Sequence, residues 1–201
     1  MFFAVTGDIE SNFSGLEKIL TTLDEAGIHR VLHTGNACTA PEKAHECLAL
    51  LRKRDVLCVQ GVKDKRIARS QRRLEREPSE TWPLDAYAAL SSDDIEYLAC
   101  LPRTRRFTEE GIRILLCHGA INSPSLILSA DTPRAVLLRQ REIADADIVV
   151  CGGAAAPFTR HVDGVFFVCP GPLTCADNRA RYLLVNTETT PWSAECVYCA
   201  Y

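Results

Sequence analysis

Apolar and polar positions fall in blocks along this chain, and the period of the blocks changes from strand-like to helix-like and back. Phe2-Phe-Ala-Val-Thr6 is a β-prone run that stops at Gly7-Asp8, which predicts a buried strand delivering a carboxylate to its carboxyl end. Ser14-Gly-Leu-Glu17 has capping-box form, and Leu16, Ile19, Leu20 and Leu23 recur at helical spacing, so an amphipathic helix is expected up to Gly27. Residues 30–34 predict a second strand closed by Gly35-Asn36. Pro41 then opens a helix with the apolar face Ala44, Cys47, Leu48 and Leu51. Residues 55–60 supply a third strand, ending at Gly61-Val62-Lys63-Asp64. Residues 63–77 read as helical and 78–83 as a loop. Ser91-Ser-Asp-Asp94 starts a further helix, with Ile95, Leu98 and Ala99 inward, that Pro102 stops.

From Arg105 the period shortens. Two strands surround Glu110-Gly111, and the second is an apolar run into Cys117-His118-Gly119. A helix over 133–144 precedes a strand at 147–151 that runs into Gly152-Gly153. A hairpin turning at Asp163-Gly164, residues 181–186 and the segment around Cys196 complete the strands. Alternating β and α blocks predict an α/β fold, and strands stopping at Gly-Asp, Gly-Asn and Gly-Val-Lys-Asp gather polar groups along one sheet edge.

With 201 residues, 47% hydrophobic and 24% charged, the chain is long enough for one ordinary core, and a single domain over residues 1–201 is expected. A formal charge of −3 gives no ground for nucleic-acid binding. No apolar run approaches the ~20 residues of a membrane span, and the apolar start breaks at Asp8, so no membrane association and a cytoplasmic location are expected. The ten cysteines are scattered through apolar runs and read as reduced, buried thiols. Cys196-Val-Tyr-Cys199 has metal or redox spacing but lacks a second pair. Residues 63–77 carry Lys63, Lys65, Arg66, Arg69, Arg72, Arg73 and Arg76, a charge run that reads as a solvated helix face. His161, beside the Asp163 turn, reads as exposed.

The order of these strand ends resembles the calcineurin-like metallophosphoesterases, in particular their small bacterial phosphodiesterase branch. That family reads Asp-x-His-Gly-Asn, Gly-Asp, Gly-Asn-His-Asp, His-Gly, Gly-His-Thr-His and Asn-Pro-Gly-Ser where this chain has Asp8-Ile9-Glu10-Ser11-Asn12, Gly35-Asn36, Gly61-Val62-Lys63-Asp64, His118-Gly119, Gly152-Gly153-Ala154-Ala155 and Cys169-Pro170-Gly171-Pro172. The resemblance implies a four-layer αββα sandwich of two mixed β-sheets flanked by helices, with a two-metal site on the carboxyl edge. It also implies which residues stand at the ligand positions. Asp8 and His118 are retained, Glu10 and Asn36 still offer an oxygen, and Val62, Gly153 and Ala155 offer no side-chain donor. Lys63 and Asp64 lie at the proton-donor motif, with Lys63 replacing the histidine.

Two metals about 3.5–4 Å apart need an anionic bridge, and here the bridging acid has become the neutral Asn36. The resemblance therefore implies a pseudoenzyme, a binding or scaffold protein like the retromer subunit of the same superfamily, with no cofactor. Two alternatives stand beside it. Asp8, Glu10, Asn36 and His118 hold one divalent metal (Mn, Fe, Zn or Ni) and hydrolyse a phosphoester, or Lys63 and strand-end N–H groups bind a small phosphorylated ligand without metal. A protein partner belongs to the first reading; the oligomeric state is open.

Overall fold

Strand β1 (Phe2–Thr6) turns Phe3 and Val5 to one side and Ala4 to the other, and all three are fully buried. A strand covered on both faces is why its sequence is continuously apolar rather than alternating. The computed structural model describes residues 1–39, 42–76 and 90–201. Pro41, as a helix opener, and the loop expected over 78–83 lie outside the described residues, as do the side chains of Arg72, Arg73 and Arg76.

The first half runs β1, α1 (Phe13–Glu25), β2 (Val31–His33), α2 (Ala44–Lys53), β3 (Leu57–Cys58), α3 (Val62–Arg76) and α4 (Ser92–Cys100). The second half runs β4 (Thr104–Glu109), β5 (Ile112–Cys117), α5 (Arg134–Ala144), β6 (Ile148–Val150), β7 (Phe158–Val162), β8 (Val165–Cys169), β9 (Arg179–Asn186) and β10 (Ser193–Ala200). One five-stranded sheet has the order β10-β9-β1-β2-β3 and the other β4-β5-β6-β8-β7. Both are mixed: β1, β2 and β3 run parallel, as do β5, β6 and β8, while β9, β10, β4 and β7 pair antiparallel.

Side-chain alternation builds the layers. Phe3, Val5 and Leu32 from one sheet meet Ile114, Leu116, Val150 and Phe166 from the other in a core between the sheets. The opposite face of the first sheet, including Ala4 and Cys58, packs on Leu16, Ile19, Leu23 and Leu48 of α1 and α2. On the second sheet, Leu115, Val149 and Phe167 pack on Leu137 and Ala144 of α5. This is the αββα sandwich that the family resemblance implies, and each strand's period of two decides which core a residue joins. Among the described residues no helix is long and apolar enough to cross a membrane.

Three local expectations change. Helix α1 is capped by Asn12, whose side chain accepts from the Gly15 amide at 2.9 Å, so Ser14 sits inside the first turn and heads no capping box. Strand β3 is shorter than residues 55–60, because the Gln60 amide turns away to the Pro102 carbonyl at 2.8 Å. Val62 and Lys63 are consequently the first residues of α3 and not part of a strand end. The cap at Ser91 forms as expected, with Asp94 reciprocating.

Seven of the ten cysteines are buried as expected, whereas Cys175 and Cys196 are partly buried and Cys100 is exposed at the end of α4. Cys58, Cys117, Cys151 and Cys169 are buried and free, and burial pushes the Cys58 and Cys117 thiols up to about 12. Cys196 and Cys199 are three apart on β10, so they face opposite layers. Cys199 belongs to the helix-side core and Cys196 packs against the inter-sheet core, an arrangement that cannot close on one metal ion.

Candidate functional site

The parallel strands place their carboxyl ends together, and the loops leaving β1, β2 and β5 meet there. The Asn36 carbonyl accepts from the Ile9 and Glu10 amides at 3.1 and 3.3 Å, which clamps the loop after β1 against the loop after β2. Glu10, Ser11 and Asn36 all have left-handed backbones (φ 54°, 65° and 60°), a concentration of strained positions that persists only where surrounding contacts over-determine it. Gly61 is required on the third side, since a Cβ there would lie 2.3 Å from the Asn36 amide nitrogen.

Asp64 holds this junction. Its carboxylate is fully buried and accepts from the backbone amides of Asn36 at 2.8 Å, Ala37 at 2.9 Å and Gly61 at 2.9 Å. Burial pushes its carboxyl above the ordinary range against the pull of those donors. At the first turn of α3 it is a positioning residue with no surface to offer a ligand.

Above Asp64 lies a closed polar cluster. The Asn36 side-chain nitrogen donates to Asp8 Oδ2 at 2.8 Å and to His118 Nε2 at 3.2 Å. The His118 Nδ1 donates to the Thr34 carbonyl at 2.7 Å, which leaves Nε2 to accept. The Lys63 amide donates to Asn36 Oδ1 at 2.9 Å and so fixes the amide's orientation. A flipped amide would set its NH2 against that N–H. Asn36 thus presents two hydrogen-bond donors, not an oxygen, to the two groups best suited to bind a cation.

The sequence-derived candidates Asp8, Asn36 and His118 are therefore in contact, with Asn36 and His118 buried. Glu10 stands apart, about half exposed, its carboxylate taken by the Lys63 ammonium. Lys63 is consequently ion-paired and is no free phosphate anchor. Asp8 does not cap α1. Its Oδ1 is buried without a hydrogen-bond partner among the described residues, and burial raises its carboxyl pKa against the pull of the Asn36 hydrogen bond. Val62 is exposed.

Ile127 was not legible as a site residue. It lies in the loop between β5 and α5, and a Cβ on Gly153 would meet its Cδ1 at 2.5 Å while standing 3.4 Å from His118 Nε2. Gly153 itself has φ 73°, where any side chain is strained. Ile127 thus fills the space beside His118 in which the resemblance would put a second histidine. Among the described residues no group of three or more His, Cys, Asp or Glu side chains is placed to hold a metal ion. His161 is exposed as expected, stacked on Phe166.

His33, at the end of β2, is fully buried with its Nδ1 3.3 Å from Thr6 Oγ1. Burial, the largest cause, drives its pKa down from 6.5 to about 3. The unfolded chain therefore binds the extra proton first, so the stability tied to the neutral ring is complete above pH 6.5 and lost as pH falls toward 3. Between pH 7 and pH 5 the loss should be about 2 kcal/mol. Urea unfolding at both pH values should show that loss reduced in His33→Leu. An equal loss in the variant would refute the assignment.

Residues 1–190 match the calcineurin-like phosphoesterase superfamily domain. In structure the chain is similar to a hypothetical protein from Pyrococcus horikoshii, with a TM-score of 0.80 at 20% identity, covering 100% of this chain and 88% of the other. It is also similar to a metallophosphoesterase from Sphaerobacter thermophilus (TM-score 0.76, 18% identity, 100% and 89% covered). A third likeness is to Vacuolar Protein Sorting 29 from Cryptosporidium parvum (TM-score 0.56, 17% identity, 100% and 98% covered). No curated protein matches the chain in sequence.

Proposed function

The chain belongs to the calcineurin-like phosphoesterase superfamily, and we propose that within it this protein is a non-catalytic binding or scaffold protein, acting as one domain in the cytoplasm. The observation that carries this reading is the double donation from the Asn36 amide to Asp8 and His118. Two divalent cations require lone pairs converging on them and an anionic bridge. Here the lone pairs of Asp8 Oδ2 and His118 Nε2 are taken by N–H groups, the bridge is neutral, and Ile127 lies against the remaining wall. The donor set does not fit a binuclear centre. In support, the same fold is shared with Vacuolar Protein Sorting 29, whose name is that of a sorting protein and not of a phosphoesterase.

A second reading has one observation in its favour, the unpartnered Asp8 Oδ1. A single divalent cation would satisfy it, and so would a proton, which the raised Asp8 pKa favours. Elemental analysis after purification without added salts should find less than one equivalent of manganese, iron, zinc or nickel per chain. With manganese, nickel or magnesium added, bis-p-nitrophenyl phosphate should not turn over above background. Two bound equivalents would overturn the proposal. Hydrolysis abolished by both Asp8→Ala and His118→Ala would establish a single-metal phosphoesterase in its place.

A further inference from the structure

Helix α3 docks through Asp64, Ile67 and Ala68, all buried, and this sends Lys65, Arg66 and Arg69 to its outer side. The sequence makes this a solvated charge run. The structure adds Arg103, from the turn before β4, and Pro124, from the loop after β5, and together with Val62 they enclose a cleft of about 350 Å³ along the first two turns of α3. Among the described residues none of the four cations has an ion-pair or side-chain hydrogen-bond partner, and all four line this one cleft. Arg103 and Arg69 lie close enough to push the Lys65 pKa down, so the cluster is held together against its own repulsion. A chain with net charge −3 has no general excess of cations to explain such a concentration.

We propose that this cleft is an anion site for a small ligand carrying two or more phosphoryl groups, bound by Lys65, Arg66, Arg69 and Arg103 without metal. The proposal does not depend on the reading of the Asp8–Asn36–His118 cluster, because none of those residues lines the cleft. Guanidinium forks match phosphoryl oxygens two at a time, and four cations call for a ligand with several negative charges. One turn of helix separates Lys65 from Arg69, about 6 Å along the axis, a spacing that spans adjacent phosphoryl groups. The volume lies at the small end of ligand sites, and Val62 and Pro124 offer an apolar wall to the ligand's carbon frame.

Calorimetric titration of the full chain with pyrophosphate, in EDTA and at low ionic strength, tests it. Binding is expected, weakening as salt is added. Arg69→Ala and Arg103→Ala should each weaken it about tenfold or more, the scale of a lost charge-assisted hydrogen bond. Both side chains are exposed, so the melting temperature should hold. Arg141→Ala, in a separate charged cleft where Arg141 pairs with Asp163, should leave binding unchanged. No binding of pyrophosphate, or binding weakened as much by Arg141→Ala as by Arg103→Ala, would overturn the proposal. Tighter binding of hexaglutamate than of pyrophosphate at equal salt would overturn it in favour of an acidic peptide.

Discussion

Replacing Asp64 with alanine should lower the unfolding free energy by about 4 kcal/mol, although the residue touches no solvent and no ligand surface. The carboxylate accepts three backbone N–H groups drawn from the loop after β2 and the loop after β3. Truncation strands all three in a buried junction, and each orphaned donor costs about 1–3 kcal/mol before any relaxation. For a chain of this length the melting temperature should fall on the order of 10 °C. Asp64→Asn should be little better, since the amide keeps one acceptor and turns an NH2 toward amides that need an oxygen. Thermal melts of both variants decide the matter, and a loss below about 1 kcal/mol in Asp64→Ala would show that the three hydrogen bonds do not hold the junction. The family resemblance points to Asp64 as part of a proton-donor motif. Its burial assigns it to holding the loops.

That contrast separates what the sequence displays from what it hides. The strands and helices are legible because the strands are short apolar runs ending in glycine, the helices carry apolar faces such as Leu16, Ile19, Leu20 and Leu23, and both signals depend only on neighbours in sequence, whereas the stacking of two sheets came only with the family resemblance. The contact among Asp8, Asn36 and His118 is legible once the strand ends are aligned, because parallel strands deliver their carboxyl ends to one edge. Long-range partners are hidden. Lys63 pairs with Glu10, 53 positions away, and the two substitutions that each look like the loss of a site residue are one ion pair. Arg103 joins the α3 cations from beyond α4 in the sequence, a meeting that no local charge pattern reveals. Ile127 sits in a loop without period, and only the position of Gly153 shows what it occupies. The Asn12 cap is hidden because Ser14 and Glu17 offer the commoner capping spacing two residues later.

Asn36→Asp should be the most informative single change at the polar cluster. It replaces two donors with a second carboxylate facing Asp8 Oδ2 and His118 Nε2, while the Lys63 amide still donates to the retained oxygen. Two carboxylates in contact do not both ionise, so the pair takes up a proton with a raised apparent pKa. The cost at pH 7 is bounded by that protonation, about 4 kcal/mol for a carboxyl whose unfolded pKa is near 3.9. Its sign follows from linkage. With the folded pKa raised, the relative stability of the variant is complete below pH 3.9 and is lost as pH rises through the folded value. Thermal melts in EDTA should therefore show the variant close to wild type near pH 4 and well below it at pH 7. Adding manganese at pH 7 should recover part of the loss in the variant and none in the wild type, because a cation then supplies the positive partner that the Asn36 N–H groups supply now. A histidine replacing Gly153 would force Ile127 aside and would stand at φ 73°, a backbone strained for any side chain. If Asn36→Asp melts like wild type at pH 7 in EDTA, the amide is not what satisfies Asp8 and His118, and the argument against a metal centre loses its foundation.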